Sequence, residues 1–140
     1  MSESVFSSRA PEPVGPFPHA KRVGNLLFLS GIGPIKRGMK EIPGVTLDSS
    51  GNIASYDFEK QCRSVFDNVR VVLEDAGSGW DRIVDVTVFL TNMKLDFPLY
   101  NTLYGEYFKD NQPARTTVEV NRLPTPIAIE LKVVALTGTE

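Results

Sequence analysis

Two ionisable residues stand in segments that otherwise have the composition of β-strands. Arg115 lies near the start of the first segment, residues 112–120, and Glu130 interrupts the apolar second segment, residues 127–136. An arginine guanidinium can hold a carboxylate through two parallel hydrogen bonds, and a glutamate carboxylate can hold and polarise a water molecule. If the fold brings the two side chains together, they would form a small site for hydrolysing a molecule that carries a carboxylate.

The segments that precede these residues predict further strands and two irregular regions. Residues 21–31 are expected to form a pair of strands with a turn at Gly24. Residues 83–91 predict another strand. Residues 1–20 contain several prolines and are expected to be an extended arm. Residues 36–55 are expected to form a long polar loop, which in a compact domain is often functional.

Two segments have the pattern of helices. Asp57 is placed to cap the first helix, and Gly77 is its expected end. The second helix is predicted over residues 96–108, with Pro98 in its first turn, where proline is tolerated. The predicted order is strand–strand–helix–strand–helix–strand–strand. This order favours an α+β domain with a mixed β-sheet and both helices on one face.

Length and composition restrict the function. At 140 residues the chain is expected to form a single domain, residues 1–140. The net charge is −2 and Lys and Arg do not cluster, so neither nucleic acid nor a membrane is an expected partner. The N-terminus lacks the pattern of a signal peptide, and the lone Cys62 fits a reducing cytoplasm. One cysteine and one histidine also argue against a metal site within one chain.

Short motifs along most of the chain form a second line of inference. Each motif is weak alone, but their order and spacing together are specific. They are residues 10–17 (APEPVGPF), 24–31 (GNLLFLSG), 68–69 (NV), 73–74 (LE), 76–77 (AG), 86–91 (VTVFLT), 104 (Y), 106–108 (EYF), 113–115 (PAR) and 129–130 (IE). With these motifs the chain resembles the Rid family of reactive intermediate deaminases, although residues 36–52 fit the family less well.

The resemblance implies a fold and an assembly. The implied fold is the chorismate-mutase-like fold of this family. The implied assembly is a homotrimer whose sheets form a central barrel, with three sites in the clefts between subunits; pairing into a dimer of trimers stays open. The residues partly support a trimer, because two helices on one face would leave apolar strand residues exposed on the other face. No cofactor is implied, since an imine is already electrophilic.

The resemblance also implies roles for individual residues. Arg115 would bind the substrate carboxylate, and Glu130 would position the hydrolytic water. Considered without the family, Arg115 could be a solvated strand-end residue and Glu130 an edge or interface residue. Further cleft residues are expected: Phe17, His19, Ser30, Asn101 and Thr117. Three of them have a structural alternative, which is a turn for Ser30, a helix-to-loop hydrogen bond for Asn101 and a surface position for His19.

Within the family, the chain resembles the 2-aminomuconate deaminases of aromatic degradation, through residues 15–20 and the enlarged loop at residues 36–52. The expected reaction converts 2-aminomuconate into 4-oxalocrotonate and ammonia. Candidates to hold its second carboxylate are His19 and the loop cations Lys36, Arg37 and Lys40, while Phe17 could stack on the diene. The alternatives are a general 2-iminobutanoate/2-iminopropanoate deaminase and a non-catalytic ligand-binding or chaperone-like trimer.

Overall fold

A computed structural model gives the structure of the chain and describes residues 2–137. Most strands belong to one sheet, and the bounds of its members are β1 Ser2–Val5, β2 Ala20–Val23, β3 Leu26–Leu29, β6 Ile83–Leu90, β7 Ala114–Glu119 and β8 Ile129–Leu136. Two further strands, β4 Val45–Leu47 and β5 Ile53–Tyr56, form a separate hairpin. The helices are α1 Phe58–Asp75 and α2 Met93–Tyr107, with a short 3-10 helix at Trp80–Arg82.

The main sheet is mixed. Its strand order is β1-β2-β3-β8-β6-β7, and every pair is antiparallel except β6 with β7. The order places β8 and β6 in the interior of the sheet and leaves β7 at one edge. The segments that carry the two ionisable residues are therefore separated by one strand, β6.

Both helices pack on the same face of this sheet. Alternate residues of β6 and β8 point towards them and are buried, as Val86 and Val133 show. On the opposite face, which we call the open face, apolar side chains stay partly exposed, and Phe28 retains 37% of its accessible surface. This arrangement confirms the predicted α+β class, mixed sheet and placement of the helices. The trimer and central barrel remain predictions.

Each helix begins at a capping side chain. Asp57 accepts a hydrogen bond from the backbone N–H of Lys60 at 3.1 Å and starts α1 where the sequence predicted. Asn92 accepts from the backbone N–H of Leu95 at 3.1 Å, so α2 begins at Met93 and not near residue 96. The predicted position of Pro98 in the first turn is therefore wrong, because the helix starts one turn earlier.

Two predicted irregular regions contain strands. The arm begins with β1, which pairs with β2, and residues 36–55 include the β4–β5 hairpin, so the predicted element order was incomplete. The hairpin is fastened to α2 by the Tyr56 hydroxyl, which donates to Asp96 Oδ2 at 2.6 Å. Within residues 2–137, no helix has the length and apolar character needed to cross a membrane.

Candidate active site

Arg115 lies on edge strand β7 and points towards α2. Its register with the buried Val86 puts its side chain on the helix-bearing face of the sheet. One terminal guanidinium nitrogen donates to Asn101 Oδ1 at 2.9 Å. The guanidinium carbon lies 4.7 Å from the ring centroid of Tyr104, 5.6 Å from Tyr100 and 5.7 Å from Phe97. These rings, which we call the aromatic cage, fix the cation through the negative faces of their π-systems.

Most of the hydrogen-bonding capacity of Arg115 is unused. A guanidinium carries five N–H donors, and among residues 2–137 Arg115 has the one bond to Asn101 and no ion pair with a carboxylate. Thr117 lies two positions along β7 on the same face, and its buried hydroxyl has no hydrogen-bond partner in the described residues. A half-buried cation with unused donors and no carboxylate partner is suited to receiving an anion.

Glu130 lies on β8, opposite Phe89 of β6. Its neighbours Ile129 and Leu131 are buried beneath the helices, so Glu130 points to the open face. Its carboxylate packs against Gly31, where an added Cβ would lie 3.0 Å from Glu130 Cδ and closer still to Oε2. Burial raises the pKa of the Glu130 carboxyl above its ordinary value, which favours proton acceptance closer to neutral pH.

A cavity of about 380 Å³ opens beside Glu130. Its walls come from the arm, the end of β3, the segment after it and the turn before β8, and they include Phe17, His19 and Ser30. The Ser30 hydroxyl donates to the carbonyl of Pro18 at 2.7 Å, so this side chain fastens the arm to β3. Phe17 is 38% exposed and lines the cavity.

His19 is buried, with 4% of its surface accessible. Its Nδ1 accepts the backbone N–H of Ser7 at 2.9 Å, and its Nε2 lies 2.6 Å from the carbonyl oxygen of Pro11. A neutral ring with its proton on Nε2 satisfies both contacts. The geometry therefore gives His19 a structural role in holding the arm and leaves it no free nitrogen for a ligand.

The predicted loop cations in the cavity wall are also occupied. Lys36 Nζ donates to Asn68 Oδ1 at 3.0 Å and lies 3.8 Å from an oxygen of Asp67. Arg37 donates from Nε to the carbonyl of Ala10 at 2.6 Å, from another nitrogen to a second arm carbonyl, and from its third to Glu12. Lys40 is exposed and does not line the cavity.

The fold does not bring Arg115 and Glu130 together within one chain. They lie on strands separated by β6, Arg115 on the helix-bearing face and Glu130 on the open face. The chain thus presents an arginine half-site, formed by Arg115, Asn101 and Thr117, and a glutamate half-site, formed by Glu130 with Phe17, Ser30 and the cavity.

Several positioning residues were absent from the sequence-based site. The aromatic cage could have been found from the spacing of Phe97, Tyr100 and Tyr104, which recur at helical intervals of three and four. Asn68 was noted only as part of a motif; its amide nitrogen donates to the carbonyls of Gly33 and Ile35, both at 2.9 Å, and so shapes the cavity wall. The sequence around Asn68 gives no sign of its contacts with these two carbonyls.

Comparison with known proteins places the chain in a family. Residues 7–137 match the family model described as endoribonuclease L-PSP. A RutC family protein of Sulfurisphaera tokodaii is 40% identical over 136 residues, which cover 97% of this chain and 99% of that protein.

Solved structures agree with this placement. The Rid family protein YyfA of Yersinia pestis is 33% identical, with a TM-score of 0.81 over 98% of this chain and all of that one. TdcF of E. coli, solved with bound serine, is 28% identical with a TM-score of 0.81, over 96% of this chain and 98% of that one. The agreement of sequence and fold along nearly the whole length shows that the chain belongs to the Rid family.

Proposed function

We propose that the chain hydrolyses the C=N bond of 2-imino acids, or of the enamines that tautomerise to them, releasing ammonia and a 2-oxo acid. The proposal rests on the surroundings of Arg115. Its guanidinium is held by the aromatic cage, yet among the described residues it has no carboxylate partner. A cation kept partly out of water without a counter-ion has a strong preference for an anionic ligand.

The residues suggest a sequence of steps. Arg115 holds the substrate carboxylate beside the C=N carbon, which fixes the orientation of that carbon. Glu130 accepts a proton from water as the water oxygen bonds to the carbon and the C=N bond becomes a single bond. The proton passes to the nitrogen, which gives a tetrahedral carbinolamine. The proton of its hydroxyl group is then transferred to the nitrogen, the C–N bond breaks as the C=O bond forms, and ammonia leaves with a 2-oxo acid as the other product. Atoms and charge balance without an oxidant or reductant.

The proposal requires a second copy of the chain. Because the two half-sites lie on opposite faces of one sheet, an Arg115 from one subunit would meet a Glu130 from its neighbour. The partly exposed apolar residues of the open face, among them Phe28, support association of sheets. A cyclic trimer, as in the family, would repeat this contact three times. The bound serine in the TdcF structure supports an amino-carboxylate ligand.

Subunit complementation tests the shared site. Arg115→Ala and Glu130→Gln chains are each expected to be nearly inactive. When they are unfolded together and reassembled at equal amounts, random mixing should restore intact sites at about one quarter of all interfaces. The control is reassembly of each variant alone, which should restore nothing. A mixture as inactive as its components would contradict a site shared between subunits.

Substrate choice can be tested in parallel. 2-Aminomuconate stays a candidate because Arg115 can hold the carboxylate beside its nitrogen. The side chains predicted to hold its second carboxylate, His19, Lys36 and Arg37, are engaged within the chain, which favours 2-iminobutanoate and related monocarboxylates. We expect ammonia release above the spontaneous rate from 2-iminobutanoate. Acceleration with neither substrate, together with saturable ligand binding, would support the non-catalytic alternative.

A further inference from the structure

The first turn of α2 carries a buried carboxylate that the proposed reaction does not use. Asp96 retains only 4% of its accessible surface, and among residues 2–137 it forms no ion pair. An acidic side chain in the first turn of a helix interacts favourably with the helix dipole, but that interaction does not require burial. The Tyr56 hydroxyl donates to Asp96 Oδ2 at 2.6 Å, and this bond offsets part of the cost of burying the carboxylate.

The junction between β5 and α1 contacts α2 a second time, one helical turn further along. Phe58, two residues after Tyr56, meets the ring of Tyr100 edge-on, with the ring centroids 6.3 Å apart. Asp96 and Tyr100 are four positions apart and therefore lie on the same face of α2. The two contacts together restrict both the position of α2 and its rotation about its own axis.

The start of α2 depends on contacts of this kind because its own hydrogen bonding is incomplete. Pro98 has no N–H and cannot donate to the carbonyl four residues earlier, so the first turn is less firmly joined to the rest of the helix. Side chains hold this turn instead. Asn92 accepts from the N–H of Leu95, and Glu119 of β7 accepts from the N–H of Met93 at 2.8 Å. The first turn is thus held by β7 and, through the buried carboxylate, by the hairpin.

The same part of α2 carries the groups that orient Arg115. Phe97 of the aromatic cage follows Asp96 directly, and Asn101 accepts the hydrogen bond of the guanidinium one turn later. Arg115 lies on β7 and these partners lie on α2, so the guanidinium keeps its direction only if the helix keeps its place against the strand.

We propose that Tyr56 and Asp96 are positioning residues for Arg115, and that their hydrogen bond holds α2 where the aromatic cage and Asn101 direct the guanidinium to the substrate carboxylate. The inference rests on the proposed function for the role of Arg115. It gives a task to the β4–β5 hairpin, since the pairing of the two strands fixes Tyr56 opposite Val45. Loss of the bond should weaken carboxylate binding and leave the chemical step in place.

Tyr56→Phe removes the hydroxyl and keeps the ring, and Tyr107→Phe is the matched control. The Tyr107 hydroxyl also ties α2 to another element, because it accepts from Arg63 of α1 at 3.3 Å, but Tyr107 is the last residue of the helix. We would measure the affinity for 2-oxobutanoate by calorimetry, and kcat and KM for 2-iminobutanoate. Tyr56→Phe should weaken the affinity and raise KM about three- to tenfold, as expected for one hydrogen bond, with kcat within about twofold of wild type. Tyr107→Phe should change none of the three.

Substitutions of Asp96 keep the test independent of whether Tyr56→Phe folds. Asp96→Asn retains an oxygen that can accept from Tyr56 and should keep most of the affinity, whereas Asp96→Leu removes the acceptor and should reproduce the loss. A role confined to stability would lower the thermal midpoint Tm and leave the KM of the folded protein unchanged, and that result would overturn the proposal. An equal rise in KM for Tyr56→Phe and Tyr107→Phe would also overturn it.

Binding separates this inference from the proposed reaction. If no imine is hydrolysed but Tyr56→Phe binds 2-oxobutanoate more weakly than wild type, the reaction is wrong and the positioning role stands. If imines are hydrolysed and Tyr56→Phe binds 2-oxobutanoate as wild type does, the reaction stands and the positioning role is wrong. A wild-type protein that binds no 2-oxobutanoate would overturn the positioning role, because Arg115 would then hold no carboxylate.

Discussion

Gly31→Ala tests whether the position of the Glu130 carboxylate matters for catalysis. The new methyl group would lie 3.0 Å from Glu130 Cδ, whereas ordinary contacts begin at 3.4 Å. The Cδ must therefore retreat by about 0.4 Å, and the nearer oxygen by on the order of 1 Å, a displacement that can reduce a rate about a hundredfold. Gly31 does not have a positive φ, and the group that must move is the end of a flexible side chain. Folding should be nearly unaffected.

The measurements are kcat with 2-iminobutanoate and the thermal midpoint Tm. We expect kcat to fall about a hundredfold, which corresponds to about 2.7 kcal/mol in the activation barrier, with Tm within a few degrees of wild type. Gly33→Ala is the matched control, because its methyl would meet Ile127 Cδ1 at 2.9 Å and not the carboxylate. A Gly31→Ala protein with full kcat would refute the role of Glu130, and equal losses in both variants would point to the cavity wall instead.

Three further predictions concern the charged groups and the cage. Arg115→Lys should lower kcat/KM roughly ten- to a hundredfold, because a charged bidentate interaction contributes about 1.5–3 kcal/mol and an ammonium cannot reproduce it; near-wild-type kinetics would place the anion site elsewhere. Glu130→Gln should abolish the acid limb of the pH profile of kcat/KM, a limb expected above the ordinary glutamate pKa of about 4.3. Because burial raises the pKa of Glu130, its ionised form lowers the stability of the folded state at pH values above that pKa. The Gln variant should therefore be no less stable than wild type in denaturant unfolding at pH 7. Tyr104→Phe should preserve kcat/KM and stability, because the buried hydroxyl has no partner among residues 2–137. Tyr104→Leu should weaken 2-oxo acid affinity several-fold, because it removes the aromatic ring that contacts Arg115.

The sequence predicted well those features that depend on local pattern. The cap of α1 at Asp57 and the turn at Gly24 are set by nearby residues, and both are found where predicted. The start of α2 was missed because Asn92 resembles a loop residue until its side chain is seen capping the helix. The hairpin formed by β4 and β5 was missed because its strands are short and polar and are fixed by a distant contact to Asp96.

The same distinction between local sequence and distant contacts applies to the candidate site. Residue types and motifs identified Arg115 and Glu130, but the face to which each points depends on strand register, and register depends on pairing across the whole sheet. The expected ligand role of His19 came from its position in the arm. Its two hydrogen bonds, to residues twelve and eight positions away, could not be read from the sequence around it.

The way in which the arm is attached affects how the cavity beside Glu130 can change during evolution. Arg37, His19 and Ser30 hold the arm through backbone carbonyls of Ala10, Pro11 and Pro18. A carbonyl is present whatever side chain its residue carries, so these bonds set the path of the arm without restricting most of its sequence. Side chains between the attachment points can therefore be exchanged without refolding the wall. New ligand preferences can arise there by single substitutions, while the groups assigned to the chemistry stay on strands at a distance from the change.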